Sequence, residues 1–217
     1  MRRIPPRPRL LAAEVLPSGP RQKRSQQKRA RLLAAALALF GENGYELTGI
    51  EAIAQSAGVA VGSFYQHFRS KRQVLLVLME ELLEGLEQLD LQLRPASTIR
   101  GALRAVLQAG FSRDLAYAGA YRAWREAIML DPTLRPLQGR IEHWTHARVS
   151  NAFESVLQLP GARKGVNVAI LARLMDRLFW DLLAQLGQMT ANELEAVLDC
   201  VTDLIYHALM RDPARTA

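Results

Sequence analysis

The 217 residues carry 28 Lys+Arg against 21 Asp+Glu, a formal charge of +7, with 49% apolar and 23% charged residues. That composition is globular rather than disordered, and the length is that of one or two domains with buried cores. A single cysteine, Cys200, excludes an internal disulfide framework and any multi-cysteine metal or iron–sulfur site, and the longest apolar run, the nine residues from Leu32 to Phe40, is too short to span a bilayer.

The basic charge is an N-terminal property. Residues 1–31 hold ten Lys/Arg and one acid, Glu14, whereas residues 32–217 hold 18 basic and 20 acidic groups. Five of the ten prolines fall in the first 20 residues and favour an extended chain. Residues 1–22 are therefore expected to form a disordered basic arm that attracts DNA phosphates or other polyanions. The short apolar stretch Leu10–Ala13 does not read as a secretory signal, so a cytoplasmic protein without membrane contact is expected.

Beyond the arm, apolar residues recur at spacings of three and four, with no alternating stretch that reads as a strand. The pattern predicts an all-α chain of nine helices, at about 24–43, 48–56, 60–67, 70–93, 97–115, 118–130, 133–158, 165–187 and 190–210. Pro95, Pro132, Pro136 and Pro160 separate periodic segments. Thr48–Glu51, Ser70–Gln73 and Thr190–Glu193 each have the residue pattern of a capping box.

The first three helices carry the most specific signal. Leu33, Ala36, Leu37 and Phe40 make one buried face, Ile50, Ile53 and Ala54 a second, and Phe64 and Phe68 a third. Ala57-Gly58-Val59 supplies the tight glycine turn between two short helices, which is a helix-turn-helix arrangement. With Phe64 and Phe68 inward, the third helix turns Val61, Gly62, Ser63, Tyr65, Gln66 and His67 outward. Gln66 has the geometry to pair with adenine, Ser63 to donate or accept, and Val61 to touch a thymine methyl, while Gly62 allows close backbone approach. Thr48 caps a helix whose N-terminus is suited to a phosphate. Each residue also has a plainer role: Tyr65 and His67 as packing, Gln66 as polar surface, Thr48 and Ser70 as caps. Lys71 and Arg72, side by side at a helix start, oppose the helix dipole, and a bound phosphate accounts for that cost.

The stretch from Arg31 to Leu82 resembles the DNA-binding domain of the tetracycline-repressor (TetR) family. The residues that carry the likeness are Leu33-x-x-Ala36-x-x-x-Phe40, Gly44-Tyr45, Thr48-x-x-x-x-Ile53-Ala54, Ala57-Gly58-Val59 and Gly62-Ser63-Phe64-Tyr65-x-His67-Phe68-x-Ser70-Lys71. Gly49 and Val61 depart from it, standing where many relatives carry polar residues. The resemblance implies phosphate contacts at Tyr65, His67 and Lys71. It also implies a fourth helix that pivots when a ligand binds, and a dimer built on the last two long helices.

The rest of the chain fits a sensing and pairing domain. Leu75, Leu78, Leu82, Leu86 and Leu89 line one stripe of the fourth helix, with Glu80, Glu81, Glu84 and Glu87 opposite. Helices at about 165–187 and 190–210 are apolar on more than one side, as expected of a homodimer interface or an enclosed core. Phe111, Tyr121, Trp124, Trp144, Met175 and Phe179, with Arg125 and Asn151 as polar groups, are the expected lining of a pocket for an apolar or aromatic effector. His143 and His146 read as surface residues, Cys200 as a buried one, and no cofactor, metal site or catalytic motif is expected. The expected divisions are an arm at 1–22, a helix-turn-helix domain at 23–70, a connector at 71–94 and a ligand-binding and dimerisation domain at 95–217. The function expected is a ligand-responsive regulator, a repressor, on a palindromic duplex DNA operator. A helical DNA-binding module without an effector and an all-α enzyme are the alternatives.

Overall fold

Leucine, alanine and phenylalanine at helical spacing give the first helix a continuous apolar side, and it runs as α1 (Lys23–Asn43) with Leu32, Leu33, Ala36 and Phe40 buried. The computed structural model describes residues 3–17, 23–93, 98–185 and 189–211. Residues 1, 2 and 18–22 of the expected arm, the Pro95 break, Leu186 and residues 212–217 lie outside them. After α1 come α2 (Ile50–Ser56), α3 (Val61–Tyr65), α4 (Lys71–Glu87), α5 (Ile99–Leu115) and α6 (Ala118–Leu130). A 3-10 turn (Pro132–Leu134) leads into α7 (Arg135–Val156), followed by α8 (Val168–Gln185) and α9 (Ala191–Leu209). Among the described residues there is no strand, and no helix is long and apolar enough to cross a membrane.

The α2–α3 turn forms as its residues predict. Val59 N–H donates to Ala54 O and Gly58 N–H to Gln55 O, both at 3.0 Å, closing α2 in a Schellman motif. Gly58 takes the left-handed conformation this requires, at φ +62°. Phe40, Ile53, Phe64 and Phe68 are fully buried in one core with α4.

Three local expectations fail for identifiable reasons. Thr48 does not cap α2: Gly49 is the cap residue, and the Thr48 hydroxyl instead donates to Gly44 O (2.6 Å) and Leu39 O (3.2 Å). Gln73 does not complete a capping box with Ser70, because its side-chain oxygen accepts from Arg69 N–H at 2.8 Å. The connector α4 ends at Glu87 rather than near Leu93, a length of about 25 Å at 1.5 Å per residue. The carbonyls at and just past its end are taken by a remote side chain: Arg148 of α7 donates to Leu86 O (2.9 Å), Glu87 O (3.3 Å) and Leu89 O (2.8 Å). Thr190 and Glu193 do form a complete capping box on α9.

The basic arm is a further correction. Residues 3–17 are docked on α4, not disordered. Leu10 is 2% exposed within the main core. Arg7 pairs with Glu80 (2.6 Å) and Glu87 (3.1 Å), and Leu10 N–H donates to Glu80 at 2.6 Å. Glu14 accepts from Arg72 and from Gln73 Nε2. The expected acidic outer stripe of α4 is thus partly roofed by the arm.

Candidate functional site

The outward side of α3 is a small, mixed surface. Gly62 and Gln66 are exposed, Val61 and Tyr65 are 37% and 51% exposed, and Ser63 is half-buried. Their neighbours Phe64 and Phe68 hold the helix to the core from behind. Beside this surface runs the basic start of α1. Arg24, Lys28 and Arg31 share a groove with Gly58, Ala60 and Ser63, and Lys28 Nζ lies 3.5 Å from Ser63 Oγ. Hydrogen-bonding side chains on α3 therefore sit next to a row of cations. The α1 cations are legible in the sequence as the dense basic run Lys23–Arg31, but the groove they share with α3 is not.

Three of the residues expected at this surface are placed otherwise. Thr48 is buried, and its hydroxyl is committed to backbone carbonyls. His67 is buried too. Burial first, then the cations Arg29 and Lys28, push its imidazole below the ordinary histidine value, so it brings no positive charge to a phosphate near neutral pH. Lys71 points its ammonium at Tyr45 O (2.7 Å), Glu46 O (3.0 Å) and Thr48 O (3.2 Å), over the Tyr45 ring. Three acceptors match its three donors. Arg72 is likewise engaged, with Glu14, Asp131 and Thr133. These internal partners already offset the unfavourable charge at the start of α4.

A second feature lies between α4, α5, α6, α7 and α8: a cavity of about 190 Å³. Of the eight side chains expected in a pocket, Phe111, Tyr121, Trp144 and Phe179 line it. The other four do not. Trp124 is fully buried in the core and donates from Nε1 to Gln138 at 2.6 Å. Arg125 pairs with Asp181 on the surface at 3.1 Å. Asn151 is buried away from the cavity, and Met175 sits in the core shared with Val201 and Ile205. The polar lining is instead Asp114, Tyr121, Thr145, Arg148 and Asp176. Single acids on amphipathic helices look like solvent-facing charge in a sequence, so nothing there marked Asp114 or Asp176. His146, expected at the surface, bonds Asp176 at 3.1 Å, and Cys200, expected inside, is exposed. Among the described residues no group of three potential ligands for a metal is formed.

Two helices join the cavity to the N-terminal helices that carry α3. The α4 helix starts beside α3 and lends Met79, Leu82, Leu83 and Leu86 to the cavity. The α6 helix lends Tyr121 to the cavity and grips the end of α1 with its other side chains. Arg122 donates to Gly41 O (2.6 Å), and Glu126 accepts from Tyr45 N–H (2.6 Å).

Residues 32–78 match the model of a family described as bacterial regulatory proteins, tetR family. The HTH-type transcriptional regulator TcmR of Streptomyces glaucescens is 37% identical over 119 residues, 52% of this chain and 52% of that protein. The chain thus spans about half the length of that relative. A match to the HTH-type transcriptional regulator BetI of Burkholderia mallei is longer, 30% identical over 157 residues, 70% of this chain and 80% of that protein. In fold, the chain is similar to the crystal structure of a gamma-butyrolactone receptor (ArpA like protein), with a TM-score of 0.70 at 19% identity, covering 89% of this chain and 93% of that one.

Proposed function

Because this chain belongs to the tetR family of bacterial regulatory proteins, we propose that it is a homodimeric repressor that holds a palindromic operator and releases it when a small effector enters the cavity. Members of the family are DNA-binding regulators, not enzymes. The observation that carries the reading is the exposed face of α3, with Val61, Gly62, Ser63, Tyr65 and Gln66 turned out beside Arg24, Lys28 and Arg31. Gln66 and Ser63 supply hydrogen bonds to base edges, Val61 and Tyr65 apolar contact, and the α1 cations the salt-dependent share of the affinity.

Release follows from the two shared helices. An effector in the cavity presses on α4 and on Tyr121 of α6, and both helices bear on the N-terminal three helices. The repressor loses its operator if the effector binds better to the arrangement in which the two α3 helices no longer match the half-sites. By linkage, operator DNA then weakens effector binding by the same factor.

The second subunit is proposed on α8 and α9, which leave Ile170, Leu174 and Leu204 45–59% exposed. In a dimer these side chains find apolar partners on the other copy. The domain plan is proposed with one change: the arm belongs with α4, and α4 is a short connector.

The test of the reading surface is a pair of affinity measurements on a duplex selected by the wild-type protein. Tyr65→Ala is expected to weaken binding by about tenfold, the scale of one good contact. Replacing Arg24, Lys28 and Arg31 together with alanine is expected to flatten the dependence of log affinity on log salt by roughly two to three units. Wild-type salt dependence in the triple variant contradicts the placement of the duplex along α1.

A further inference from the structure

We propose that the effector is an elongated apolar amine, seated with its ammonium on Asp114 and its hydrocarbon body along the leucine-lined wall of α4. This rests on the reading of the cavity as an effector site and adds the charge of the ligand to it.

The wall of the cavity is mostly hydrocarbon, supplied by Leu82, Leu83 and Leu86 on α4, by Leu89 just beyond its end, and by Leu107, Phe111 and Phe179 of the neighbouring helices. Such a wall favours an apolar body. The charged groups among the lining residues are Asp114 on α5, Asp176 on α8 and Arg148 on α7. Arg148 is not available to an anionic ligand: its guanidinium holds the carbonyls of Leu86, Glu87 and Leu89 and stacks on Trp144 at 5.1 Å. Asp176 accepts from the Thr145 hydroxyl (2.8 Å) and faces His146 Nε2 (3.1 Å).

Among the described residues, no cation is paired with Asp114. It accepts a hydrogen bond from the Tyr121 hydroxyl at 3.0 Å. Burial pushes the Asp114 carboxyl up to about 7, against smaller opposing effects of Tyr121 and Arg113. Burial likewise holds Tyr121 well above its ordinary value, so its hydroxyl stays a donor aimed at the acid. A carboxyl in an apolar wall is costly unless a positive group meets it, and an ammonium supplies both the charge and the donors. A carboxylate ligand would meet two acids and an already committed arginine. The same hydrocarbon wall with the opposite charge at one end is therefore disfavoured.

Three probes with one ten-carbon tail separate these chemistries: decylammonium, decan-1-ol and decanoate, each titrated calorimetrically into the full chain. Decylammonium is expected to bind at least about tenfold more tightly than decanoate, as a charged hydrogen bond in a dry site predicts. Asp114→Asn is expected to remove about tenfold of the decylammonium affinity and to leave decan-1-ol within about twofold, which also shows that the variant cavity is intact. Decanoate or decan-1-ol binding as tightly as the amine, no binding of the amine, or an Asp114→Asn variant with wild-type amine affinity overturns the proposal. Those outcomes leave the sensor reading standing. It falls on a different result, namely that no compound bound in the cavity alters operator affinity.

Discussion

Gly119→Ala is expected to unseat the N-terminal helices and to lower the thermal midpoint by ~10 °C, the consequence of about 3 kcal/mol of overpacking in a chain of this size. At Gly119, α6 crosses α1 almost backbone to backbone. A Cβ added there would lie 2.1 Å from Leu37 O and 2.9 Å from Gly41 N. Neither atom belongs to a flexible side chain, so one helix has to move. Arg122 and Glu126 on α6 hold the α1–α2 segment at this same crossing, and their bonds stretch with it. Operator affinity should fall alongside stability, because α3 is carried by α1 and α2. Calorimetric unfolding of the variant checks the first effect, and a midpoint within about 2 °C of wild type would show that the crossing has slack.

The largest effect on operator affinity is expected from Leu174→Glu combined with Leu204→Glu. Leu174 and Leu204 are 59% and 45% exposed in the single chain. Burying a leucine against a partner stabilises by roughly 1.5–3 kcal/mol, and a glutamate in its place must lose its hydration without a paired cation. The double variant should sediment as a monomer with unchanged helical content. Its operator affinity should drop by ~100-fold or more, since two half-sites are no longer engaged by one linked molecule. A dimer that persists through both changes would move the interface away from α8 and α9.

What the sequence disclosed was chiefly local. Phe40, Phe64 and Phe68 announce their burial by spacing, and Gly58 announces a turn that only a residue free to take positive φ makes cheaply. What it concealed depends on partners far along the chain. Nothing near Glu87 ends α4 in an obvious way; Arg148, some 60 residues on, accepts the task of satisfying its carbonyls. The proline-rich arm looks solvated until Glu80 and Arg72 provide charges for Arg7 and Glu14. Thr48 has the residues of a capping box, yet α2 starts one residue later with Gly49 as its cap, and the Thr48 hydroxyl turns back to donate to the carbonyl of Gly44. Lys71 shows the same limit in the candidate site: its charge is legible, but its three carbonyl partners are not.

The cavity illustrates the difference most sharply. Its aromatic members Phe111, Tyr121, Trp144 and Phe179 stand out in composition. Trp124 and Met175 have the same character and are core instead, because which side of a helix meets an internal void is decided by how the helices pack together. The acids that give the cavity its polarity, Asp114 and Asp176, are indistinguishable in sequence from the exposed acids of any amphipathic helix.

We propose that the α3 surface, flanked by the α1 cations, reads duplex DNA as part of a two-fold pair. Selection of bound fragments from a pool of random duplexes by the purified chain tests it most directly. The expected result is an enriched inverted repeat whose half-sites are spaced by a helical turn or a multiple of it, and loss of the base preference, more than of overall affinity, when Gln66 is replaced by alanine. A pool that remains random after repeated rounds, or an enriched sequence recovered equally by the Gln66→Ala variant, would contradict it.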